Sequence, residues 1–308
     1  MEIKTVSIVG LGALGILFGQ HLAKQLPREN VRIIADKKRI EKYEEKGVYC
    51  NGERCNFYYM TPEEVSEPAD LIIFAVKDSG LKSAIAAVKN QVGENTIILS
   101  TLNGITSEAI IGETYGMEKI LYCVAQGMDA VKVDNKLTYD HFGMLCFGDR
   151  EPGGKSKKVD AVSTFFDKLD LPYEVDTNMM KRLWGKFMLN VGVNQTVAVY
   201  EGNYGTIQKE GVARDTMIAA MREVISLSDR EGVGLTEGDL DYWLMVLSKL
   251  SPEGKPSMAQ DVEAKRYSEV ELFSGTVLTL AKKYGMDTPV NKQLYDQIIS
   301  IEKGYTMD

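Results

Sequence analysis

The sequence predicts an α/β domain followed by an all-helical domain, and three observations support this. Short apolar runs alternate with helical segments from Glu2 to about Asp176, as in a parallel sheet covered by helices. The first of these runs leads directly into a glycine-rich turn. After Asp176 only patterns with the 3.6-residue period of a helix remain. We therefore place the two domains at residues 1–176 and 177–308.

Composition narrows the class of protein. The chain has 308 residues, of which 44% are hydrophobic, enough for two domains. Its formal net charge of -8 disfavours a nucleic-acid or anionic-membrane partner. No signal-peptide pattern opens the chain, and no apolar stretch approaches the roughly 20 residues that span a bilayer. We expect a cytoplasmic protein that acts on small molecules, with a homodimer as a candidate assembly.

The turn after the first strand has the pattern of a dinucleotide-binding site. Its sequence is Gly10-Leu11-Gly12-Ala13-Leu14-Gly15, and a helical pattern follows at once. Gly10 allows the tight turn, Gly12 lets backbone N–H groups approach phosphates, and Gly15 lets the helix pack closely on the strand. The helix N-terminus then faces the anion. A second strand over 31–35 ends at an acidic residue, Asp36. These features predict a Rossmann-type dinucleotide-binding domain.

The later strands also end at polar residues. Further strands are predicted at 71–76, 96–99, 120–124, 144–147 and 172–175. The segment 131–147 has hairpin character and favours an antiparallel edge. Lys77 follows one strand, and Asn103-Gly104 follows the next. Ligands bind at strand carboxyl ends in open α/β sheets, although Asn-Gly is also an ordinary turn pair.

The second domain is predicted to hold five helices. They lie at about 177–199, 210–231, 236–250, 260–284 and 289–303. The first is apolar almost all round, but Lys186, Asn190 and Asn194 form one polar stripe along it at i, i+4 and i+8. A buried ammonium and two carboxamides are costly without partners, which favours a substrate or a structural partner. A solvent-facing stripe is the alternative.

Two residues near the fourth helix add to this set. Glu269 borders the buried face that Val270 and Phe273 mark, either as an ordinary flanking charge or as a carboxylate that meets Lys186 across a cleft between the domains. Ser257 precedes the helix, where N-terminal capping is its ordinary role.

Elimination points to Lys186 as the acid. The only histidines are His21, in the first helix, and His141, in the hairpin region, and neither is well placed for acid–base chemistry. If the nucleotide is a nicotinamide cofactor, the reduced carbonyl oxygen still needs a proton. Desolvation would lower the pKa of Lys186 from its usual value of about 10.4. The four cysteines lack C-x-x-C spacing, so we expect inert thiols and no metal site.

These residues make the chain similar to the ketopantoate reductase (2-dehydropantoate 2-reductase) family almost from end to end. The matching patterns are GLGALG at 10–15, VK at 76–77, NG at 103–104, W-x-K-x-x-x-N-x-x-x-N from Trp184, and S-M-x-Q-D from Ser257 with Glu269 twelve residues on. The resemblance implies that Lys186 is the general acid and that Glu269 organises the cofactor, the substrate hydroxyl and the lysine. It implies substrate contacts from Asn103, Asn190, Asn194 and Ser257. It also implies NADPH-dependent reduction of ketopantoate to pantoate, in pantothenate and coenzyme A biosynthesis.

The residues after the second strand give conflicting indications about the choice between NADP(H) and NAD(H). Asp36 stands where the family commonly has an arginine for the 2′-phosphate of NADPH, and an aspartate there favours NAD(H). Lys37, Lys38 and Arg39 follow it and could hold a phosphate, or simply begin a solvated helix. We predict NADP(H), with NAD(H) as the alternative. The predicted cofactor-binding residues are the glycine turn, Asp36, Lys37, Lys77, Asn103 and Glu269.

Two other positions depart from the family pattern. The family's further substrate asparagine falls on Tyr204, with Asn203 beside it, so either residue is a candidate. Leu102 replaces a frequent polar residue before Asn103. These changes leave a related branched 2-oxo acid as an alternative substrate. A β-hydroxyacid dehydrogenase and a non-catalytic NAD(P)-sensing regulator are the competing interpretations.

Overall fold

The computed structural model describes residues 2–305 and divides the chain into two compact units, Met1–Met180 and Lys181–Asp308. The boundary predicted after residue 176 lies just ahead of this division. The first unit contains the strands, and the second consists of helices and their connections. The predicted fold class, an α/β domain followed by an all-helical domain, is confirmed.

The described part of the first unit holds twelve strands. They are β1 (Val6–Val9), β2 (Val31–Ile34), β3 (Tyr49–Cys50), β4 (Glu53–Arg54), β5 (Tyr58–Met60), β6 (Leu71–Phe74), β7 (Ile97–Ser100), β8 (Ile120–Gln126), β9 (Val131–Val133), β10 (Lys136–Thr138), β11 (Met144–Gly148) and β12 (Tyr173–Val175). Eight of them form one sheet in the order β12-β11-β8-β7-β6-β1-β2-β5.

The centre of the large sheet is parallel and fully buried. Every residue of β1, β2, β6 and β7 is buried, as the continuous apolar runs predict for strands covered by helices on both faces. The strands β2 and β6 flank β1 on opposite sides, and both pair with it in parallel. The strand order therefore reverses at β1, and ligands bind at such a switch point in open α/β sheets.

The predicted antiparallel edge is only partly correct. Strand β11 is antiparallel to β8, but it lies inside the sheet because β12 covers its other side. The hairpin of β9 and β10 belongs to a separate four-stranded sheet with β3 and β4. Strands of two or three residues with mixed exposure carry no readable periodicity, and β3, β4 and β5 were not predicted.

Helices α1–α5 belong to the first unit. They are α1 (Ala13–Ala23), α2 (Lys37–Lys46), α3 (Leu81–Ala87), α4 (Ser107–Tyr115) and α5 (Lys157–Lys168). The second unit is built on α6 (Met179–Val199), α7 (Tyr204–Gln208), α8 (Val212–Arg230), α9 (Glu237–Ser248), α10 (Ser257–Glu263), α11 (Thr276–Tyr284) and α12 (Pro289–Glu302). Within residues 2–305, no helix is both long enough and apolar enough to cross a membrane.

Helix α6 packs closely against two neighbouring helices of the second unit. A Cβ atom added at Gly192 would lie 2.5 Å from Cγ of Met221 on α8, and one at Gly185 would lie 2.5 Å from Nε1 of Trp243 on α9. The two glycines thus let the neighbouring helices approach the α6 backbone closely. This packing accounts for the almost continuous apolar sequence of the helix.

The predicted helix over 260–284 is wrong, because the structure breaks it in two. Helix α10 ends at Glu263, and Lys265 follows in the left-handed region with φ of 51°. The backbone N–H and the side chain of Arg266 both bond to Asp261, each at 2.8 Å, and close the helix end. Helical structure resumes as a π-helical turn over Glu271–Gly275, which leads into α11.

The contacts of the four cysteines and of His21 indicate structural roles. All four cysteines are buried thiols, and burial raises the pKa of Cys55 to about 12. A thiol with so high a pKa holds almost no thiolate at neutral pH, as expected for inert cysteines. His21 Nε2 lies 2.7 Å from the carbonyl oxygen of Leu169, and its ring contacts Phe142.

Candidate functional site

The glycine turn closes tightly on the neighbouring strand. Gly10 has φ of 98°, a backbone conformation that favours glycine. A Cβ atom there would lie 2.6 Å from Cγ1 of Val76 and 2.7 Å from the carbonyl oxygen of Ala75. A Cβ atom at Gly15 would lie 1.9 Å from the carbonyl oxygen of Gly10. Neither position accommodates a side chain, so the motif residues keep the turn and α1 in contact.

The N-terminus of α1 points out of this turn without a side-chain cap. Gly12 is the N-cap residue, no described side chain bonds to the cap, and the first turn carries no acidic residue. Gly10, Gly12, Ala13 and Leu14 are all partly exposed. Backbone N–H groups at such a helix start, together with the helix dipole, form an anion site suited to a pyrophosphate.

Lys77 and Asn103 lie at the same edge of the sheet as the glycine turn. The N–H of Ala75 donates to the carbonyl oxygen of Val9 at 2.9 Å, and Thr101 N–H donates to that of Phe74 at 2.9 Å. The carboxyl ends of β1, β6 and β7 are therefore adjacent. Lys77 is exposed and Asn103 is half-buried.

Asp36 has a structural role in capping a helix, and its contact with a cofactor stays a prediction. It is the N-cap residue of α2, and its carboxylate accepts the N–H of Arg39 at 2.9 Å. The Arg39 Nε atom lies 3.3 Å from the second carboxylate oxygen. Lys37 and Lys38 are exposed beside it. Arg39 thus contributes to helix capping, and the basic helix start has a stabilising charge partner in Asp36.

A buried carboxyl group next to this edge was not predicted. Glu108, in the first turn of α4, is 1% exposed, and burial raises its pKa to about 7. The Ser107 hydroxyl donates to it at 2.9 Å and contacts the Ser100 hydroxyl at 2.8 Å. An acidic residue in the first helical turn is common on exposed helices, so the sequence offered no signal of its burial.

The polar stripe of α6 is not a solvent face. Asn194 is 7% exposed, whereas Lys186 and Asn190 are half-buried. Leu183, Phe187 and most other residues of the helix are buried around them. Polar groups placed among buried residues need partners, and the assignment of the stripe to a substrate stays a prediction.

Glu269 occupies a different local structure from the predicted helix face. It is half-buried in the connection between α10 and the π-helical turn. Its carbonyl oxygen accepts the N–H groups of Leu272 at 3.0 Å and Phe273 at 3.3 Å, so the residue leads into the turn. Its place in the fold is thereby tied to the backbone of that turn.

Ser257 and the pair Asn203–Tyr204 also differ from expectation. The N-cap of α10 is Pro256, and Ser257 is an exposed first helical residue without a capping bond, so the capping interpretation of Ser257 is wrong. Asn203 caps α7 instead, because its side chain accepts the N–H of Thr206 at 3.1 Å. The ring of Tyr204 lies against Gly254. Helix α7 is too short to show a period, but Asn203 before it is an ordinary cap signal.

The structure therefore assembles two groups of predicted residues, each within one unit. The first unit brings together the glycine turn, Lys77 and Asn103 at the carboxyl edge of its sheet. The second places Lys186, Asn190 and Asn194 on one face of α6. The first unit has the Rossmann-type architecture. The second unit narrows the class of protein to Rossmann-type proteins that carry a separate all-helical domain.

Two family models match almost the whole chain. Residues 6–146 match the ketopantoate reductase PanE/ApbA model, and residues 178–302 match the model of its C-terminal domain. The chain belongs to the ketopantoate reductase family.

Individual relatives are similar along their full length. A 2-dehydropantoate 2-reductase of Streptococcus pyogenes serotype M6 is 26% identical over 299 residues, which cover 95% of this chain and 96% of the relative. The structure of D-mandelate dehydrogenase with NADH and anilino(oxo)acetate has a TM-score of 0.85 at 21% identity, covering 98% of this chain and 100% of that one. A dimeric ketopantoate reductase from Staphylococcus aureus has a TM-score of 0.79 at 19% identity, with coverage of 98% and 100%. The two structures support the fold.

Proposed function

We propose that this protein is a nicotinamide-dependent oxidoreductase that reduces the 2-oxo group of ketopantoate, or of a related branched 2-oxo acid. The observation that carries the proposal is the polar stripe Lys186–Asn190–Asn194 on the otherwise buried helix α6, in a chain of this family. Membership of this family does not favour the alternative interpretations of the chain as a β-hydroxyacid dehydrogenase or as a non-catalytic regulator. We also propose a role in pantothenate biosynthesis and a cytoplasmic location. A homodimer is proposed as well, because the S. aureus relative is dimeric.

The first unit fits a dinucleotide. The tight turn Gly10–Gly15 lets the start of α1 pack against β1 and the chain after β6, and the N-terminus of α1, which has no side-chain cap, offers N–H donors and a favourable dipole to a pyrophosphate. Lys77 and Asn103, at the same sheet edge, would hold the cofactor further along. Asp36 and Lys37, after β2, would contact the adenosine ribose and its substituent. When bound, the reduced nicotinamide supplies the hydride for the carbonyl carbon.

The second unit supplies the acid and the substrate contacts. Lys186 donates a proton to the carbonyl oxygen as negative charge develops there, which is general acid catalysis. Asn190 and Asn194 donate hydrogen bonds that orient the substrate, with Asn103 and Ser257 as the further proposed contacts. Glu269 accepts from the substrate hydroxyl and the lysine, and so keeps both in place.

A substrate panel tests this function. We expect the purified protein to oxidise NADPH or NADH with ketopantoate at a kcat/KM roughly tenfold or more above that with 2-oxoisovalerate or pyruvate, because both lack groups that ketopantoate has and one missing group in a pocket changes selectivity by that order. Higher kcat/KM with another branched 2-oxo acid would reassign the substrate within the class. Turnover of no 2-oxo acid with either cofactor would refute the proposed function.

Cofactor preference tests the role of Asp36. We propose NADP(H) as the preferred cofactor, held by Lys37 and Lys38, with the Asp36 carboxylate opposing the 2′-phosphate. Replacing Asp36 by Asn keeps a capping oxygen for α2 but removes the charge, so the ratio of kcat/KM for NADPH to that for NADH should rise about tenfold. Lys37→Ala should move the same ratio in the opposite direction.

The control for the Asp36 experiment is the melting temperature. Because Asn is as good an N-cap as Asp, Asp36→Asn should melt close to the wild type, whereas Asp36→Ala should lose about 1 kcal/mol of stability. An unchanged cofactor ratio in Asp36→Asn would show that Asp36 serves only as the helix cap. If the wild-type kcat/KM for NADH is at least tenfold higher than that for NADPH, Asp36 would be the residue that binds the ribose hydroxyls of NADH.

A further inference from the structure

A buried polar cluster lies behind the polar stripe of α6. It consists of Gln195, Ser274 and Asn291, each 0% exposed, and we call it the Gln195 cluster. Gln195 directly follows Asn194 on α6, and its Nε2 donates to the carbonyl oxygen of Val191 at 2.7 Å. A buried carboxamide is costly unless its oxygen also finds a donor.

The donor is a backbone N–H group that the π-helical turn leaves without its usual helical acceptor. In an α-helix the N–H of Ser274 would bond to the carbonyl oxygen of Val270, four residues back. In this turn the N–H of Gly275 takes that carbonyl at 3.0 Å, five residues back. The N–H of Ser274 points out of the helix instead and donates to Oε1 of Gln195 at 3.2 Å. Gln195 is therefore the acceptor that this irregular turn uses.

The other side of the cluster is anchored to two further helices. The Ser274 hydroxyl donates to Oδ1 of Asn291 at 3.1 Å, and Gln195 Nε2 lies 3.4 Å from the same oxygen. Asn291 Nδ2 donates to the carboxylate of Glu223 at 2.7 Å and to the carbonyl oxygen of Ala220 at 3.1 Å. Helices α8 and α12 thus hold the cluster rigidly, and the turn is fastened to α6.

The position of Glu269 depends on the same turn. Glu269 precedes it by two residues and bonds to it through its carbonyl oxygen. These bonds tie the backbone of Glu269 to the backbone of the π-helical turn. A shift of the turn would therefore move Glu269 with it.

We propose that Gln195 is a positioning residue for the reaction: by accepting the N–H of Ser274, it fixes the π-helical turn against α6 and so sets the Glu269 carboxylate relative to the stripe of Lys186, Asn190 and Asn194. This inference rests on the proposed function. Gln195 itself touches neither substrate nor cofactor in this scheme. It acts through the backbone of the turn.

The test compares two variants of one cluster. Gln195→Met keeps the size of the side chain but removes the acceptor, and we expect kcat for ketopantoate to fall about tenfold, because small misplacements of reacting groups carry losses of that order. Ser274→Ala removes the hydroxyl bond to Asn291 but leaves the backbone N–H of residue 274 on Gln195, so kcat should fall less than in Gln195→Met. The cofactor Kd, measured by fluorescence titration with NADPH, should stay within about twofold in both.

A pH profile gives an independent readout if Gln195→Met does not fold. In Gln195→Glu the new carboxyl group occupies a fully buried position, and burial raises its pKa. Protonated, it accepts from Ser274 and donates to Asn291. Ionised, it faces the carbonyl oxygen of Val191 and Oδ1 of Asn291, both acceptors, so kcat should fall with a new ionisation that the wild type lacks.

The outcomes separate the inference from the function it rests on. A wild type that reduces no 2-oxo acid refutes the function. If the wild type is active but Gln195→Met keeps full kcat, the positioning role alone is overturned. The same holds if Gln195→Met and Ser274→Ala lose kcat equally and in proportion to their loss of melting temperature. A Gln195→Glu variant without a new ionisation in its kcat profile overturns it as well.

Discussion

Replacing Lys186 by alanine is expected to lower kcat about 10²- to 10⁴-fold. Lys186 is half-buried on α6 and is the proposed proton donor to the carbonyl oxygen. General acid catalysis contributes a factor of that order, and the interaction exists only as charge develops in the transition state, so kcat should fall more than KM rises. Steady-state oxidation of the cofactor with ketopantoate measures both parameters.

Two further variants make the Lys186 result specific. Lys186→Arg keeps the positive charge, but a guanidinium does not give up its proton near neutral pH, so kcat should remain low. Lys181→Ala removes a lysine from the same helix, one whose ammonium lies 3.1 Å from Asp239, and should leave kcat within about threefold. Near-normal turnover by Lys186→Ala would refute its assignment as the acid. Equal losses in Lys186→Ala and Lys181→Ala would point to a general effect on α6.

The central sheet could be predicted because its signals are local. The apolar runs of β1, β6 and β7 are buried at every position, and a continuous run reports that burial directly. The glycine turn was equally readable, since the contact of Gly15 with Gly10 lies within six residues of sequence. The hairpin of β9 and β10 was predicted, but its sheet with β3 and β4 was not, because β3 and β4 are two residues long and the pairing of β3 with β10 joins segments far apart in the chain.

The candidate site was predictable only where its residues share one element. The spacing of Lys186, Asn190 and Asn194 is a property of α6 itself, so a helical pattern sufficed to align them. Glu269 was placed on the wrong kind of element, because its surroundings depend on the left-handed turn at Lys265 and on the bond from Ser274 to Gln195, 79 residues away in sequence. Contacts across such separations leave no period in the chain.

Glu269→Gln is expected to lower kcat/KM for ketopantoate about 10- to 100-fold, through both a lower kcat and a higher KM. The substitution keeps the shape of the side chain and removes its charge. Hydrogen bonds to charged groups contribute about 1.5–3 kcal/mol, which corresponds to that range. Glu269 is proposed to hold the substrate hydroxyl and Lys186, so both binding and turnover should suffer. The assay is the same cofactor oxidation, with melting temperatures measured in parallel.

The matched control for this variant lies two residues away. Glu271 is exposed in the π-helical turn and accepts the hydroxyl of Tyr295 at 2.5 Å, outside the proposed site. Glu271→Gln removes the same charge from the same turn and should leave kcat/KM within about threefold, because exposed charges contribute little. If Glu269→Gln changed only the melting temperature, as an ordinary flanking charge would, Glu269 would have no part in the reaction. A loss of kcat/KM confined to Glu269→Gln would tie the carboxylate, rather than the turn as a whole, to catalysis.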